Sequence, residues 1–102
     1  MPRKRKKSAR GIKINEWDVD ESNASELAGH GLSVETVDDI ASARPRFRRN
    51  KKGRAATHQM IGPDAGGAFW VVCIVEQTPE RWRPITGWPA GPHEIEWWRR
   101  SQ

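Results

Sequence analysis

The 102-residue chain contains one cysteine, no tyrosine and no long apolar run. The lone Cys73 excludes an intramolecular disulfide. Because it lies in the apolar run 69–75, it is predicted to be a buried core residue in a reducing compartment. No segment approaches the roughly 18–20 apolar residues of a membrane span, and the N-terminal segment lacks the apolar stretch of a secretory signal. These absences predict a cytoplasmic protein with no membrane attachment.

Positive charge is missing from one stretch of the chain and concentrated in the next. Residues 14–43 contain eight acidic side chains and no Lys or Arg, whereas residues 44–54 contain seven basic side chains and no Asp or Glu. Charge separated in this way is typical of a protein with one surface facing a polyanion, or two surfaces facing different partners. Residues 44–54, the basic block, are therefore the clearest indication of function.

A second basic segment lies at the N-terminus. Residues 1–10 contain six of the eighteen Lys and Arg residues and no acid. Since a segment of this composition cannot bury apolar area, we expect residues 1–11 to be a disordered basic tail, either merely solvated or contacting phosphates, and residues 12–102 to form a single domain. Without the six bases the formal net charge of +5 becomes −1 (5 minus 6), so the domain is basic only locally.

The N-terminal half is predicted to contain one strand and two helices. Residues 12–17 largely alternate apolar and polar side chains, as in a half-buried strand. Asp18 or Asp20 can cap a first helix that ends at Gly29, and Ser33 is a suitable N-cap for a second. Pro45 opposes continuation of the second helix.

Three or four antiparallel strands and a final helix are predicted after Pro45. The strands are placed at residues 46–48, 55–61, 69–75 and 81–86, with a turn at 50–53 and a loop at 62–67. The third is apolar throughout and is predicted to be central, whereas Pro84 is expected to place the short last strand at an edge or a strand end. Gly91 and Pro92 open the last helix. The order of elements predicts an α+β domain.

A series of short motifs runs from about residue 14 to residue 99: Trp17-Asp18, Asn23, His30-Gly31-Leu32, the helix start Ser33-Val34-Glu35, Ile61-Gly62, the strand 69–75 and Ile85-Thr86. They resemble the BrnT-type toxins, small ribonucleases of bacterial type II toxin–antitoxin pairs. The resemblance implies a RelE-like fold and cleavage of RNA with no metal and no cofactor. It also implies a small antitoxin partner, expected to be a ribbon-helix-helix protein, through which alone operator DNA would be bound.

Two positions depart from the family pattern: the terminal helix often ends in Tyr, where this chain has Trp97 or Trp98, and the other departure follows Ile85-Thr86. In the family, the residues matching Ile85-Thr86 are often followed by Ala-Arg, and here Trp88 stands at the position of that Arg. Two main readings therefore stay open: a metal-independent endoribonuclease toxin, and a non-catalytic relative that binds a partner or nucleic acid within a transcriptional repressor complex. An unrelated nucleic-acid-binding domain is a third possibility.

The basic block is the predicted RNA-binding site. Cleavage by attack of an RNA 2′-hydroxyl on the adjacent phosphate requires proton transfer and stabilisation of a crowded, charged phosphorane. Alternate residues of a strand point the same way, so Arg46 and Arg48 would line one cleft. The residues predicted to bind RNA are Arg46, Arg48, Arg49, Lys51, Lys52, Arg54, Thr86 and Trp88. A solvated hairpin is the alternative for the basic block, and a packing role is the alternative for Trp88.

The predicted catalytic pair is His58 and Arg83, with His58 moving protons and Arg83 holding the phosphate. His58 follows the basic block on the returning strand, and Arg83 lies on the last strand. His30 is predicted to support the turn after the first helix, and His93 to lie on the surface. No Cys or His cluster has the spacing of metal ligands, so no metal site is predicted.

Overall fold

The computed structural model describes residues 11–102, which form a five-stranded sheet and three helices. In chain order the elements are β1 (Glu16–Trp17), α1 (Glu21–Gly29), α2 (Val34–Ser42), β2 (Arg46–Arg49), β3 (His58–Pro63), β4 (Phe69–Thr78), β5 (Arg81–Pro89) and α3 (Pro92–Arg100). The strand order is β1-β5-β4-β3-β2. β1 is parallel to β5, and the other neighbours are antiparallel. The predicted α+β class is confirmed.

The predicted tail falls almost wholly on residues 1–10, which lie outside the described residues. Each of the three helices has nine residues. Within residues 11–102, no helix is long and apolar enough to cross a membrane.

Of the predicted N-caps, Asp20 and Ser33 start helices. At α1, the Asn23 backbone N–H donates to Asp20 Oδ1 (3.2 Å) and the Asp20 N–H donates to Asn23 Oδ1 (2.8 Å), which is a reciprocal capping box. At α2, the Thr36 N–H donates to Ser33 Oγ (3.1 Å). These local hydrogen bonds satisfy backbone donors that a helix leaves unpaired, and they fix where each helix begins.

A glycine turn joins α1 to α2 and directs a leucine into the core. Gly31 has a φ of 86°, and its N–H donates to the Ala28 carbonyl (3.0 Å) while the Leu32 N–H donates to the Leu27 carbonyl (2.9 Å). This pair of bonds is the Schellman arrangement, in which glycine accepts the left-handed conformation at no steric cost. Leu32 is buried as a result.

The sheet is covered on both faces by different helices. On the face that we call the α1/α2 face, the buried core consists of Leu27, Leu32, Val37, Ile40, Met60, Val72, Ile74 and Trp82. On the opposite face, the α3 face, a smaller core consists of Ile61, Val71 and Trp98, with Phe69, Trp88, Ala90 and Trp97 packed against it. Adjacent residues of β3 and β4 therefore contribute to opposite cores, as strand alternation requires.

Gly87 allows the turn between α1 and α2 to approach the sheet. A Cβ atom at this position would lie 2.6 Å from Leu32 Cδ1 and 2.7 Å from the Val71 carbonyl oxygen. Only glycine fits without a shift of backbone or core.

Several predicted strand boundaries were wrong. The N-terminal strand has only the two residues of β1, because Ile12 and Ile14 pack against the α1/α2 core without ladder partners. β3 begins at His58 rather than at residue 55 and includes Gly62 and Pro63, so the following loop is residues 64–68.

The last strand also differs from its prediction. β5 has nine residues, and its start is interior, paired with β1 on one side and β4 on the other. Pro84 lies beyond the two-residue pairing with β1, next to a register shift against β4. Its missing N–H therefore costs no ladder bond on the β1 side, which explains how proline is accommodated within a long strand.

Candidate functional site

Strand alternation divides the basic block between the two faces of the sheet. Phe47 packs against the α1/α2 core, whereas the Arg48 guanidinium lies 5.0 Å from the centre of the Trp97 ring of α3. Arg46 pairs with Ile61, which belongs to the α3-face core. Arg46 and Arg48 therefore share the α3 face as predicted, and Arg49 points to the other face.

Four strands contribute to a single line of side chains on the α3 face. Arg48 pairs with Gln59, Gln59 with Cys73, and Cys73 with Thr86. Three strand spacings of about 4.8 Å make this line, the Arg48 row, roughly 14 Å long. The row contains three polar side chains, those of Arg48, Gln59 and Thr86, and the buried Cys73.

Arg48 is fixed by a chain of side-chain hydrogen bonds. Its Nε–H donates to Gln59 Oε1 (2.9 Å), and Gln59 Nε2 donates to Asn50 Oδ1 (3.0 Å). Asn50 Nδ2 in turn donates to the Ala56 carbonyl (3.0 Å). With the cation–π contact to Trp97, these bonds hold the guanidinium in one place and tie β2 to the loop that follows it.

The connection between β2 and β3 spans residues 50–57 and is longer than the turn predicted at 50–53. Lys51, Lys52 and Arg54 are exposed in it, and Gly53 has a φ of 80°. Burial raises the pKa of the Cys73 thiol to about 11, and the charge of Arg54 has a smaller, opposite effect. Cys73 is thus a protonated core residue.

The cations of the basic block have no acidic partners within residues 11–102. The six ion pairs there involve His30, Arg81, Arg83 and Arg99 as the basic groups. At Arg46, the Nε atom is buried without a hydrogen-bond partner among the described residues. A buried donor in this state is costly, and an acceptor from a bound ligand would satisfy it.

Arg83 differs sharply from the basic block, because it is held by two carboxylates. Its Nη2 lies 3.1 Å from Asp20 Oδ1 and its Nη1 lies 3.5 Å from Asp18 Oδ2. The hydrogen bond from Arg83 lowers the pKa of Asp20, and the same contact raises the pKa of Arg83. Asp18 also pairs with Arg81 (3.0 Å). These contacts fasten β1 and the start of α1 to β5.

His58 lies on the opposite face of the sheet from Arg83. Its ring centre is 5.5 Å from that of Trp82, which belongs to the α1/α2 core. Arg83 pairs with Val75, two residues from Cys73 and therefore on the α3 face. The structure does not bring the predicted catalytic pair together. His58 instead borders an open cleft of about 580 Å³ on the α1/α2 side, with Lys13, Arg49 and Glu76 also in its wall.

Thr86 and Trp88 both lie on the α3 face but have different surroundings. Thr86 Oγ1 donates to Glu26 Oε2 (2.9 Å), a hydrogen bond that lowers the Glu26 pKa, and His30 Nε2 lies 3.2 Å from the same oxygen. Trp88 is half-buried and packs against the α3-face core. Its placement agrees with the packing alternative, and a role in base stacking stays a prediction.

The remaining two histidines lie where the sequence placed them. His30 follows α1, where its N–H donates to the Leu27 carbonyl (2.9 Å), and His93 is exposed in the first turn of α3. Within residues 11–102, no group of three or more His, Cys, Asp or Glu side chains is arranged to hold a metal ion.

Two residues that position Arg48 were not singled out from the sequence. The sequence places Asn50 in a turn and Gln59 in a strand and indicates no functional role for either. The one available signal was that Gln59 lies beside the apolar pair Met60-Ile61, where a polar side chain on a covered strand needs a partner. Its partner follows only from the pairing of β2 with β3.

Comparison with known proteins supports the fold but not the details of the site. The sequence matches no protein-family model and no curated protein. The crystal structure of the ribonuclease toxin BrnT from Brucella abortus superimposes on this chain with a TM-score of 0.54 and 21% sequence identity, covering 78% of this chain and 97% of that protein. The chain therefore has a BrnT-like fold. At this identity, fold is all that the likeness shows.

Proposed function

We propose that this protein is an endoribonuclease toxin of a bacterial type II toxin–antitoxin pair and that its α3 face binds the RNA substrate. Arg48 is the observation that carries the proposal. It lies in a block of seven bases without an acid, has no carboxylate partner among the described residues, and is held rigidly by Gln59 and Trp97. The resemblance of the fold to a ribonuclease toxin supports an RNA substrate over other polyanions.

The proposed chemistry is attack of an RNA 2′-hydroxyl on the adjacent phosphate, without a metal ion. Negative charge builds up on the phosphorane, and fixed cations stabilise it more than mobile ones because they need not reorganise. The planar fork of an arginine fits two phosphate oxygens at once. We assign this role to Arg48, supported by Arg46 and Arg54, with Lys51 and Lys52 extending the phosphate-binding surface.

The structure makes the predicted catalytic roles of Arg83 and His58 less favourable. Arg83 is less suited to hold phosphate than Arg48, since Asp18 and Asp20 already occupy its guanidinium. His58 faces the α1/α2 side. A part in proton transfer therefore requires RNA to pass around β2, the edge strand of the sheet.

A non-catalytic role is the second candidate, and two observations favour it. Trp88 occupies the position of the family Arg and packs into a core. The predicted proton donor and phosphate ligand lie on opposite faces. Such a protein would keep the surface that binds an antitoxin and act within a repressor complex on operator DNA.

Induced expression in a bacterial host separates the two functions. Growth and the integrity of total RNA are followed together for the wild type and for Arg48→Ala, His58→Ala and Arg83→Ala. We expect the wild type to arrest growth and cut RNA, and Arg48→Ala to relieve both while staying folded. Purified wild type should also cut RNA in EDTA. A wild type that neither arrests growth nor cuts RNA contradicts the toxin proposal and favours the repressor-complex role.

The partner proposed for the basic block is a small antitoxin with an acidic surface, expected to be a ribbon-helix-helix protein. An inhibitor covering residues 44–54 needs carboxylates to complement seven cations that have no acidic partner within residues 11–102. The neighbouring reading frame tests this directly. A short gene for a ribbon-helix-helix protein that co-purifies with this chain and suppresses its toxicity is the expected result.

A further inference from the structure

We propose that Gln59 is a positioning residue: with Asn50, it holds Arg48 so that the outer edge of the guanidinium faces an RNA phosphate. The inference rests on the proposed RNA-binding function and adds a residue that contacts no substrate itself. It is carried by the hydrogen-bond chain from Arg48 to the Ala56 carbonyl and by the position of Arg48 at one end of the Arg48 row.

The geometry leaves the two Nη atoms of Arg48 available to bind a phosphate. Gln59 occupies the Nε–H, and Trp97 packs against the guanidinium. No residue among 11–102 forms a hydrogen bond or salt bridge with either Nη atom of Arg48. An arginine held through Nε keeps both Nη groups for one phosphate, in the paired geometry that makes arginine contacts strong.

The same chain of bonds orders the loop that carries the other cations. Gln59 bridges Arg48 to Asn50, the first residue of the loop 50–57, and Asn50 then reaches back to Ala56 near the end of that loop. Since the loop carries Lys51, Lys52 and Arg54, loss of Gln59 releases both the arginine and one tether of the loop. Part of the entropic cost of ordering Arg48 and the loop is therefore met in the free protein, before RNA binds.

A double-mutant cycle on RNA affinity tests the positioning role. Gln59→Met keeps the length of the side chain but removes both hydrogen bonds. Fluorescence anisotropy with a labelled single-stranded RNA gives Kd over a range of salt concentrations for the wild type, Q59M, R48A and R48A/Q59M. We expect each single variant to lose affinity on the order of tenfold and to lower the slope of log K against log salt by about 0.7, the loss of one phosphate contact.

The double variant gives the decisive number. If Gln59 acts chiefly through Arg48, R48A/Q59M should bind only slightly more weakly than R48A alone, because the tether to Asn50 is the one contact of Gln59 that remains to be lost. A loss equal to the product of the two single effects, about a hundredfold, contradicts the proposal, and so does a Q59M protein with wild-type affinity. Gln77→Met is the matched control: it changes an exposed glutamine of β4, and its RNA affinity should equal that of the wild type.

An NMR measurement tests the clamp without RNA. In ¹⁵N-labelled wild type, the Nε–H of Arg48 should exchange with water more slowly than that of the exposed Arg49, and this protection should disappear in Q59M. Equal exchange of the two wild-type signals overturns the clamp. Absence of RNA affinity in a wild type whose Arg48 Nε–H is protected contradicts the proposed function instead, so the two failures are distinguishable. Thermal melting shows that each variant is folded.

Discussion

The arginines of the basic block and those of β5 lie on the same sheet but have opposite surroundings. Arg81 and Arg83 contact Glu16, Asp18 and Asp20, whereas the seven cations of residues 44–54 pair with no acid among the described residues. The β5 arginines connect elements that are distant in sequence, so their charge is used within the fold. The charge of the basic block is available to a partner.

The acids that neutralise β5 come from the very stretch that precedes the basic block. Residues 14–43 contain eight acids, yet the ones that form ion pairs with arginine reach β5, more than sixty positions along the chain, and not the neighbouring cations. Proximity in sequence is therefore a poor guide to which charges cancel. The net charge of the domain understates how basic one of its edges is.

Among variants that alter one of these two groups of arginine, we expect the largest effect on RNA affinity when the basic block is changed. Changing Arg46, Arg48 and Arg49 to Ala should weaken RNA binding on the order of 10²-fold and reduce the salt slope by about 1.4, because the phosphate contacts of Arg46 and Arg48 are lost from the α3 face while Arg49 lies on the other face. Anisotropy titrations at several salt concentrations measure both. The protein should stay folded, since none of the three forms an ion pair within residues 11–102.

A triple variant with the same change in charge elsewhere is the control for that experiment. Arg81, Arg99 and Arg100 changed to Ala remove three cations outside the basic block. This protein should keep most of its RNA affinity and lose some stability, because Arg81 pairs with Asp18. Equal loss of affinity in the two triple variants would mean that only total charge matters, and the contrast between the two groups of arginine would fail.

The next largest effect is on stability, at the buried residue beside the β5 ion pairs. Asn23 is 4% exposed, and its Nδ2 donates to the carbonyls of Asp18 (3.0 Å) and Pro84 (2.9 Å) while its Oδ1 accepts from Asp20. Asn23→Ala should lower the free energy of unfolding by about 2–3 kcal/mol, since it removes half the capping box and leaves buried carbonyls unpaired.

Chemical denaturation measures this loss, with Asn15→Ala as the control. Asn15 is exposed, and its side chain forms no hydrogen bond with the described residues. A change in stability of similar size at both positions would remove the special role of Asn23 in joining α1 to β5.

Local signals in the sequence were enough to place the helices, because caps act over three or four residues. Asp20 and Ser33 each start a helix through a bond to the third residue after them, and the apolar run 69–75 lies in the middle strand. The expectation of an edge holds at Pro84, where β5 has no neighbour on the β1 side, but the start of β5 is interior because Arg81 and Trp82 pair with β1. The length of β1 depends on tertiary packing and cannot be predicted from the alternation of residues 12–17.

The candidate site was predictable in composition but not in arrangement. The sequence identified the basic block, and alternation correctly grouped Arg46 with Arg48. The side of the sheet that His58 occupies depends on the register between β2 and β3, which the eight-residue loop 50–57 sets. A slip of one residue moves every side chain of a strand to the other face, so His58 and Arg83 could not be paired from spacing alone. For the same reason, the contact of Gln59 with Arg48 could not be predicted from the sequence.

A smaller effect is expected from the pH dependence of the Asp20 contact with Arg83. In the folded state the pKa of Asp20 is lowered from 3.8, chiefly by the hydrogen bond from Arg83. A carboxyl with a lowered folded-state pKa contributes stability that is complete above the unfolded pKa and is lost as pH falls through the folded one. Asp20→Asn keeps the cap but not the charge.

The difference in free energy of unfolding between the wild type and Asp20→Asn should therefore be constant from about pH 7 to pH 5 and shrink below about pH 4. Denaturant titrations at each pH measure it. In Arg83→Met, the same substitution at Asp20 should have a smaller effect whose pH dependence is weaker. A difference that does not change with pH would show that the Asp20 charge does not stabilise the fold.

The smallest effect is expected at the third group of cations, the six in residues 1–10. Their composition predicts no buried apolar area, so deleting them should change the melting temperature by no more than about one or two degrees. These cations should contribute only to RNA binding. Their deletion should lower the slope of log K against log salt and leave the contribution of Arg48 unchanged. A variant with the six bases changed to Gln separates charge from chain length and should match the deletion in both measurements. A fall in melting temperature of about five degrees or more in the deletion, but not in the Gln variant, would mean that this segment packs on the domain. A fall in both would mean that its cations pair with the acids of residues 14–43, which would contradict their proposed action on RNA alone.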